Sequence, residues 1–164
     1  MGMLANYIKI DEPTLAQLTK LSDDDVFEAI EELEENGNDV YDMDKLWDGL
    51  HFLITGVPAN DRIEGDHLSE AIFGVHYFRT EDFITYIKSD ELGAIIESME
   101  TIPIDDLLKE MDLKIFRDKD IYPEIWVDKN RPDLQEDLKT EFDGLLEFYK
   151  EALNETAHII VSIY

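Results

Sequence analysis

The sequence predicts an α+β fold: a mainly helical single domain carrying one small sheet that takes in both chain ends. Three observations lead there. Apolar residues recur at three- and four-residue steps over most of the chain, and short β-branched or aromatic runs stand at residues 4–10, 83–87 and 158–164. The length of 164 residues, 44% of them hydrophobic, is enough for one core without metals or disulfides.

Residues 4–10, LANYIKI, bring Tyr7, Ile8 and Ile10 to an opening strand. Asp11 is placed to cap a helix over 12–21, with Pro13 in its first turn and Leu15, Leu18 and Leu21 at helical spacing. Ser22 caps the next helix. Asp23, Asp24 and Asp25 sit where the positive end of the helix dipole favours carboxylates, and Val26, Phe27, Ile30 and Leu33 form its apolar stripe. Asn36-Gly37-Asn38 ends it, since Gly37 can take the left-handed conformation that closes many helices. Residues 42–56, DMDKLWDGLHFLITG, read as a third helix, followed by a polar loop to Asp66.

A short helix over 67–73 stops at Gly74, and 83–87 is the second strand. Ser89 and Asp90 start another helix, and Pro103 starts one that runs to about Met111. From Leu113 to Trp126 the pattern is weak, with Tyr122-Pro123 marking extended chain. Pro132 opens the longest helix, the expected spine, in which Leu134, Leu138, Phe142, Leu145, Leu146, Tyr149 and Leu153 recur to about Asn154. The closing run from His158 is apolar enough for a buried strand.

The segment 42–56 carries the candidate site. At about 100° per residue, Met43, Leu46, Leu50, Leu53 and Ile54 gather on one side, and Asp44, Trp47, Asp48 and His51 form a separate seam. Asp44, Asp48 and His51 follow at i, i+4 and i+7, so a carboxylate could orient the imidazole and favour its charged form, as general-base work requires. An enzyme or small-molecule site there requires His51 to open on a cleft whose wall includes Trp47 and Tyr122. The preferred alternative is a structural contact at a buried helix crossing, because Ser69 and Thr55 lie in no nucleophile motif. The aromatic set Trp47, Tyr122, Trp126 and Tyr149 likewise suits a core better than a cofactor box.

No metal and no cofactor is expected. The histidines at 51, 67, 76 and 158 show no i, i+4 pair and no H-E-x-x-H, and Asp39, Asp42, Asp44 and Asp48 lack the alternation of a calcium loop. G-x-G-x-x-G and phosphate-binding loops are absent. Without cysteine there is no disulfide framework and no thiolate chemistry, which fits a reducing cytoplasm. The N-terminus lacks the pattern of a secretory signal, Asn6 stands where myristoylation wants Ser or Thr, and no stretch has a membrane-spanning length of apolar residues. A soluble, cytoplasmic protein, unprocessed at its start, is expected.

Forty acidic against 14 basic residues give a formal net charge of −26. Nucleic acid and anionic membranes would be repelled, since both are bound by neutralising their charge with Lys and Arg. Twelve acids crowd residues 22–48, where Lys45 is the only base. A solvated helix face accounts for much of this, and solubility for the rest. The sharper reading is attraction to a basic partner.

Several of these residues also carry a resemblance. Met1-Gly2-Met3, the run 43–56 with Asp44, Lys45, Trp47, Asp48, Leu50, His51, Phe52, Thr55 and Gly56, Leu68-Ser69 with Gly74 and His76, and Ile121-Tyr122-Pro123 together resemble the YfbM-like family of bacterial proteins. The resemblance runs in the same order over nearly the whole chain, and D-K-x-W-D-x-L-H-F is its most specific segment. It implies a small bacterial α+β protein with no assigned activity, catalytic residue or cofactor, and it makes the Asp44 to His51 seam a family feature. The charge exceeds what the family pattern implies.

The functional expectation is therefore a non-enzymatic interaction module, inhibitor- or immunity-like, that engages a basic protein partner. The alternative is a small-molecule-binding protein or hydrolase using Asp44, Asp48 and His51. A third reading, an acidic mimic of nucleic acid, requires carboxylates spaced like phosphates on one surface.

Overall fold

The computed structural model describes residues 2–36 and 39–164. Its elements run β1 (Ala5–Ile10), α1 (Glu12–Leu18), α2 (Asp23–Glu35), β2 (Val40–Asp44), α3 (Trp47–Thr55), α4 (His67–Phe73), β3 (His76–Tyr77) and β4 (Phe83–Ile87). They continue with α5 (Ser89–Thr101), α6 (Ile104–Glu110), α7 (Leu113–Asp118), α8 (Arg131–Asn154) and β5 (His158–Ile163). The strands form one antiparallel sheet in the order β2-β1-β5-β4-β3.

The two chain ends meet at the centre of that sheet, β1 pairing with β5 from Ala5 opposite Ile163 to Ile10 opposite His158. All of β5 is buried, because helices cover both faces. Tyr7, Ile159, Val161 and Ile163 face the larger core built with α3 to α8, whereas Ile8, Ile84 and Ile160 face a smaller one with Leu15, Leu18, Val26 and Ile30 of α1 and α2. A strand covered on both sides needs a mostly apolar run, and 158–163 supplies it, its two polar members finding carboxylates, His158 with Glu12 and Ser162 with Glu34. Among the described residues no helix is long and apolar enough to cross a membrane.

The caps follow the local sequence. Asp11 accepts the Thr14 amide at 2.9 Å and Ser22 the Asp25 amide at 3.3 Å, each satisfying a donor that helix geometry leaves free. The expected left-handed role of Gly37 lies outside the described residues. Helix α1 ends at Leu18, short of the expected 21, and Leu21 is exposed. The weak stretch after Leu113 holds α7, and the Tyr122-Pro123 bond is cis.

The largest correction concerns residues 42–56. Their first part is strand, with Val40, Tyr41 and Asp42 opposite Ile8, Tyr7 and Asn6, and α3 begins only at Trp47. Met43 is buried either way, so its apolar spacing does not discriminate. The open edge of β1 decides it, since β2 pairs backbone groups there that a helix would leave bare. Asp44, at φ 57°, turns the chain out of the strand with its amide on Asp42 Oδ1 at 2.8 Å.

Candidate functional site

Helix α3 has no solvent face: every residue from Trp47 to Ile54 is buried. The seam read from sequence therefore points into protein, and its members diverge. Asp44 is exposed on β2 and does not share a helical face with Asp48 or His51. The Asp48 carboxylate accepts the Tyr122 amide at 2.8 Å, and its pKa is raised by burial against the opposing pull of that hydrogen bond. Trp47 packs against Tyr122, the rings tilted by 31° with centroids 5.8 Å apart. Both rings hold the N-terminal segment: the indole donates to the Met3 carbonyl at 3.0 Å and the phenol oxygen accepts the Met3 amide at 2.9 Å. Trp47, Asp48 and Tyr122 thus fasten the loop at 121–123 and the chain start onto α3. Tyr122 also lines a cavity of about 410 Å³ beside Arg117 and Trp126, but Asp44, Trp47, Asp48 and His51 do not reach it.

His51 takes a different direction. The ring has no exposed surface, packs edge-on against Phe73 at 4.8 Å, and shares a hydrogen bond of 2.8 Å between Nε2 and Ser69 Oγ. Nδ1 has no hydrogen-bond partner among the described residues. Burial, and then the charge of Arg62, push the imidazole pKa down to about 4, outweighing Asp66 and the Val57 backbone. The ring is neutral at pH 7. The neutral ring carries a single N–H, so Nε2 donates to Ser69 Oγ in one tautomer and accepts from it in the other. Ser69 Oγ also reaches Asp66 Oδ2, at a long 3.5 Å.

Ser69 lines a second cavity, of about 420 Å³, together with Arg62, Glu64, Glu70, Phe73 and Tyr77. Helix α4, which carries Ser69, is held from below by an unusual set of partners. The last four carbonyls of a helix have no partner within it, and here each is bonded. Gly74 N donates to Glu70 O at 2.8 Å, Tyr149 Oη to Ala71 O at 2.5 Å, Tyr7 Oη to Ile72 O at 2.9 Å and Thr85 Oγ1 to Phe73 O at 2.6 Å. Gly74 itself, at φ 79°, admits no side chain, since a Cβ there would lie 2.0 Å from Thr85 Oγ1. The sheet and α8 thereby fix the cavity floor.

Across the opening, the Arg62 guanidinium lies 4.9 Å from the Phe73 ring centre and 5.6 Å from that of Phe83. It donates to the Ala59 carbonyl at 2.8 Å and to Tyr77 Oη at 3.1 Å. Sequence reasoning missed Arg62 and gave Ser69 no role. The available signal was that Arg62 is the only Lys or Arg between Lys45 and Arg79, in a polar loop that precedes a helix. Among the described residues no group of three His, Asp or Glu side chains could hold a metal ion.

A helical α+β protein with one antiparallel sheet whose inner strands come from both chain ends, and a cavity beside α4, is the class these features define. The chain belongs to the family described as Domain of unknown function (DUF1877), whose model matches residues 1–162. Protein YfbM of Escherichia coli K12 is 27% identical over 166 residues, covering 99% of either chain. The crystal structure of YfbM, a protein of unknown function from Escherichia coli, has the same fold, with a TM-score of 0.83 at 26% identity over 98% of this chain and 99% of that one.

Proposed function

We propose that this one-domain protein is a cytoplasmic bacterial interaction module, non-enzymatic, whose acidic surface engages a basic protein partner as an inhibitor or immunity protein would. The observation that carries this reading is the outer face of α2. Asp23, Asp24, Glu28, Glu31, Glu32 and Glu35 are all exposed there, and the helix holds no Lys or Arg. Several bases elsewhere are already engaged by carboxylates, Lys9 by Asp39, Glu151 and Glu155, Lys114 by Asp118, and Lys150 by Glu100. A surface of one sign raises the local concentration and on-rate of cationic partners.

An enzyme built on the Asp44, Asp48 and His51 seam has less support. Only His51 meets a hydroxyl, and an imidazole with a pKa of about 4 is a weak general base at neutral pH. Its Nδ1 has no carboxylate to orient it, as a Ser-His pair in acyl transfer normally requires.

Affinity capture from a bacterial extract tests the interaction reading, run in parallel with a variant in which the named α2 carboxylates are changed to amides. The expected result is a basic protein retained by the native chain at low salt, released by added salt, and not retained by the variant. Failure to retain a basic protein at low salt, or retention that ignores both the salt and the amide changes, overturns it.

A further inference from the structure

We propose that the cavity between the loop at 60–65, α4 and Tyr77 is a binding site for a small zwitterion of the amino-acid type. Arg62 would take its carboxylate and the acidic wall its ammonium group. This goes beyond the surface reading above and does not depend on it.

The argument begins with Arg62. Its guanidinium is already positioned by two rings and two hydrogen bonds, so three of its five N–H donors remain for a ligand. Among the described residues it makes no ion pair, although the chain carries 40 carboxylates. The obvious neighbour, Glu70, is instead bonded to His67 Nδ1 at 2.7 Å. A planar fork held against aromatic faces with free donors is the arrangement that recognises a carboxylate in two-point fashion.

The remaining lining decides which anion. Glu64 and Glu70 share the cavity with Arg62, so a phosphate or a dicarboxylate would meet two like charges. A ligand that carries one carboxylate and one ammonium group satisfies both signs at once. Ser69 adds a hydroxyl oxygen, and His51 behind it holds that hydroxyl in place from a position sealed off from water. Ile63 and Tyr77, 62% and 59% exposed, line the same cavity and offer apolar surface for a side chain. The volume, about 420 Å³, lies in the range of small-ligand sites.

The test uses the full chain labelled with ¹⁵N and the common free L-amino acids as probes, each added to about 10 mM so that even millimolar affinity registers. At least one is expected to shift the amides of Arg62, Gly65, Ser69 and Gly74 saturably. Its C-terminal amide and its N-acetyl derivative are each expected to bind at least about tenfold more weakly, the loss of one charge-assisted contact. Arg62→Gln, checked for an otherwise unchanged amide spectrum, is expected to weaken binding equally. The ligand derivatives keep the test valid should that variant misfold. The proposal is overturned if none of the amino acids shifts those amides, if inorganic phosphate or the N-acetyl derivative binds as tightly as the free amino acid, or if binding survives the loss of Arg62 in a folded variant.

Discussion

Two of the three helical glycines among the described residues, Gly49 in α3 and Gly93 in α5, allow a direct comparison of local and tertiary control. Local propensity treats them alike, since replacing glycine by alanine in a helix interior stabilises by about 0.5–1 kcal/mol. Their surroundings are opposite. A Cβ on Gly93 meets nothing within 4 Å, whereas one on Gly49 would lie 2.2 Å from Trp126 Cη2 and 2.4 Å from Cζ2. Ordinary carbon contacts begin near 3.5 Å, so the indole would have to retreat by about 1 Å or more. Retreat is blocked: Trp126 is buried, its Nε1 donates to Ile121 O at 2.8 Å, and its ring packs 4.7 Å from that of Phe116. Overpacking costs of about 1–3 kcal/mol apply at their upper end, and subtracting the propensity gain leaves Gly49→Ala destabilised by about 2 kcal/mol. For a chain of this size that lowers the melting midpoint by about 4–8 °C, while Gly93→Ala raises it by about 1–4 °C. Thermal melts followed by circular dichroism, with urea titrations to check that the slope is unchanged, measure both. A Gly49→Ala protein that melts at or above the native midpoint would refute the packing argument.

Tyr149→Phe removes the donor to the Ala71 carbonyl in a buried site and is expected to cost about 1–3 kcal/mol in urea unfolding, with faster hydrogen exchange across α4; unchanged exchange there would show that α4 is held by other means. The depressed pKa of His51 makes stability depend on pH in a defined window. The folded ring resists protonation until about 4 while the unfolded ring takes a proton near 6.5, so stability present above pH 6.5 is lost as pH falls toward 4 and levels off below. Between pH 7 and 5 this one group removes about 2 kcal/mol, a loss that His51→Gln should lack. Asp48, whose pKa is raised, works in the opposite sense near its own range, so the difference between the two proteins is the quantity to measure. A His51 ring resonance that titrates near 6.5 in the folded protein would refute the assignment. Finally, Lys9 has a 7% exposed side chain among three carboxylates 3.2–3.6 Å away. Lys9→Met should cost about 1 kcal/mol at low ionic strength and less in high salt, and a salt-independent cost would point to packing on Phe148 instead.

The residues read from sequence as a seam do not line one common cavity, and Arg62 and Ser69, which share one, were not singled out. The helical spacing placed Trp47, Asp48 and His51 on one helix, and α3 carries all three, buried. That spacing could not show that loop 121–123 covers two of them and α4 the third. Arg62 and Ser69 escaped because a cavity wall drawn from a loop and a short helix has no period to read.

By itself the chain determined the helices of α2, α5 and α8, the strands at both ends and the caps at Asp11 and Ser22. Periodicity and capping act over a few residues, so their information is complete within each segment. Only tertiary structure decided that Asp44 belongs to a strand, that α3 has no wet face, and that His51 meets Ser69. The helical repeat sets the direction of a side chain about its own axis. What stands opposite is chosen by the packing of segments far apart in the chain.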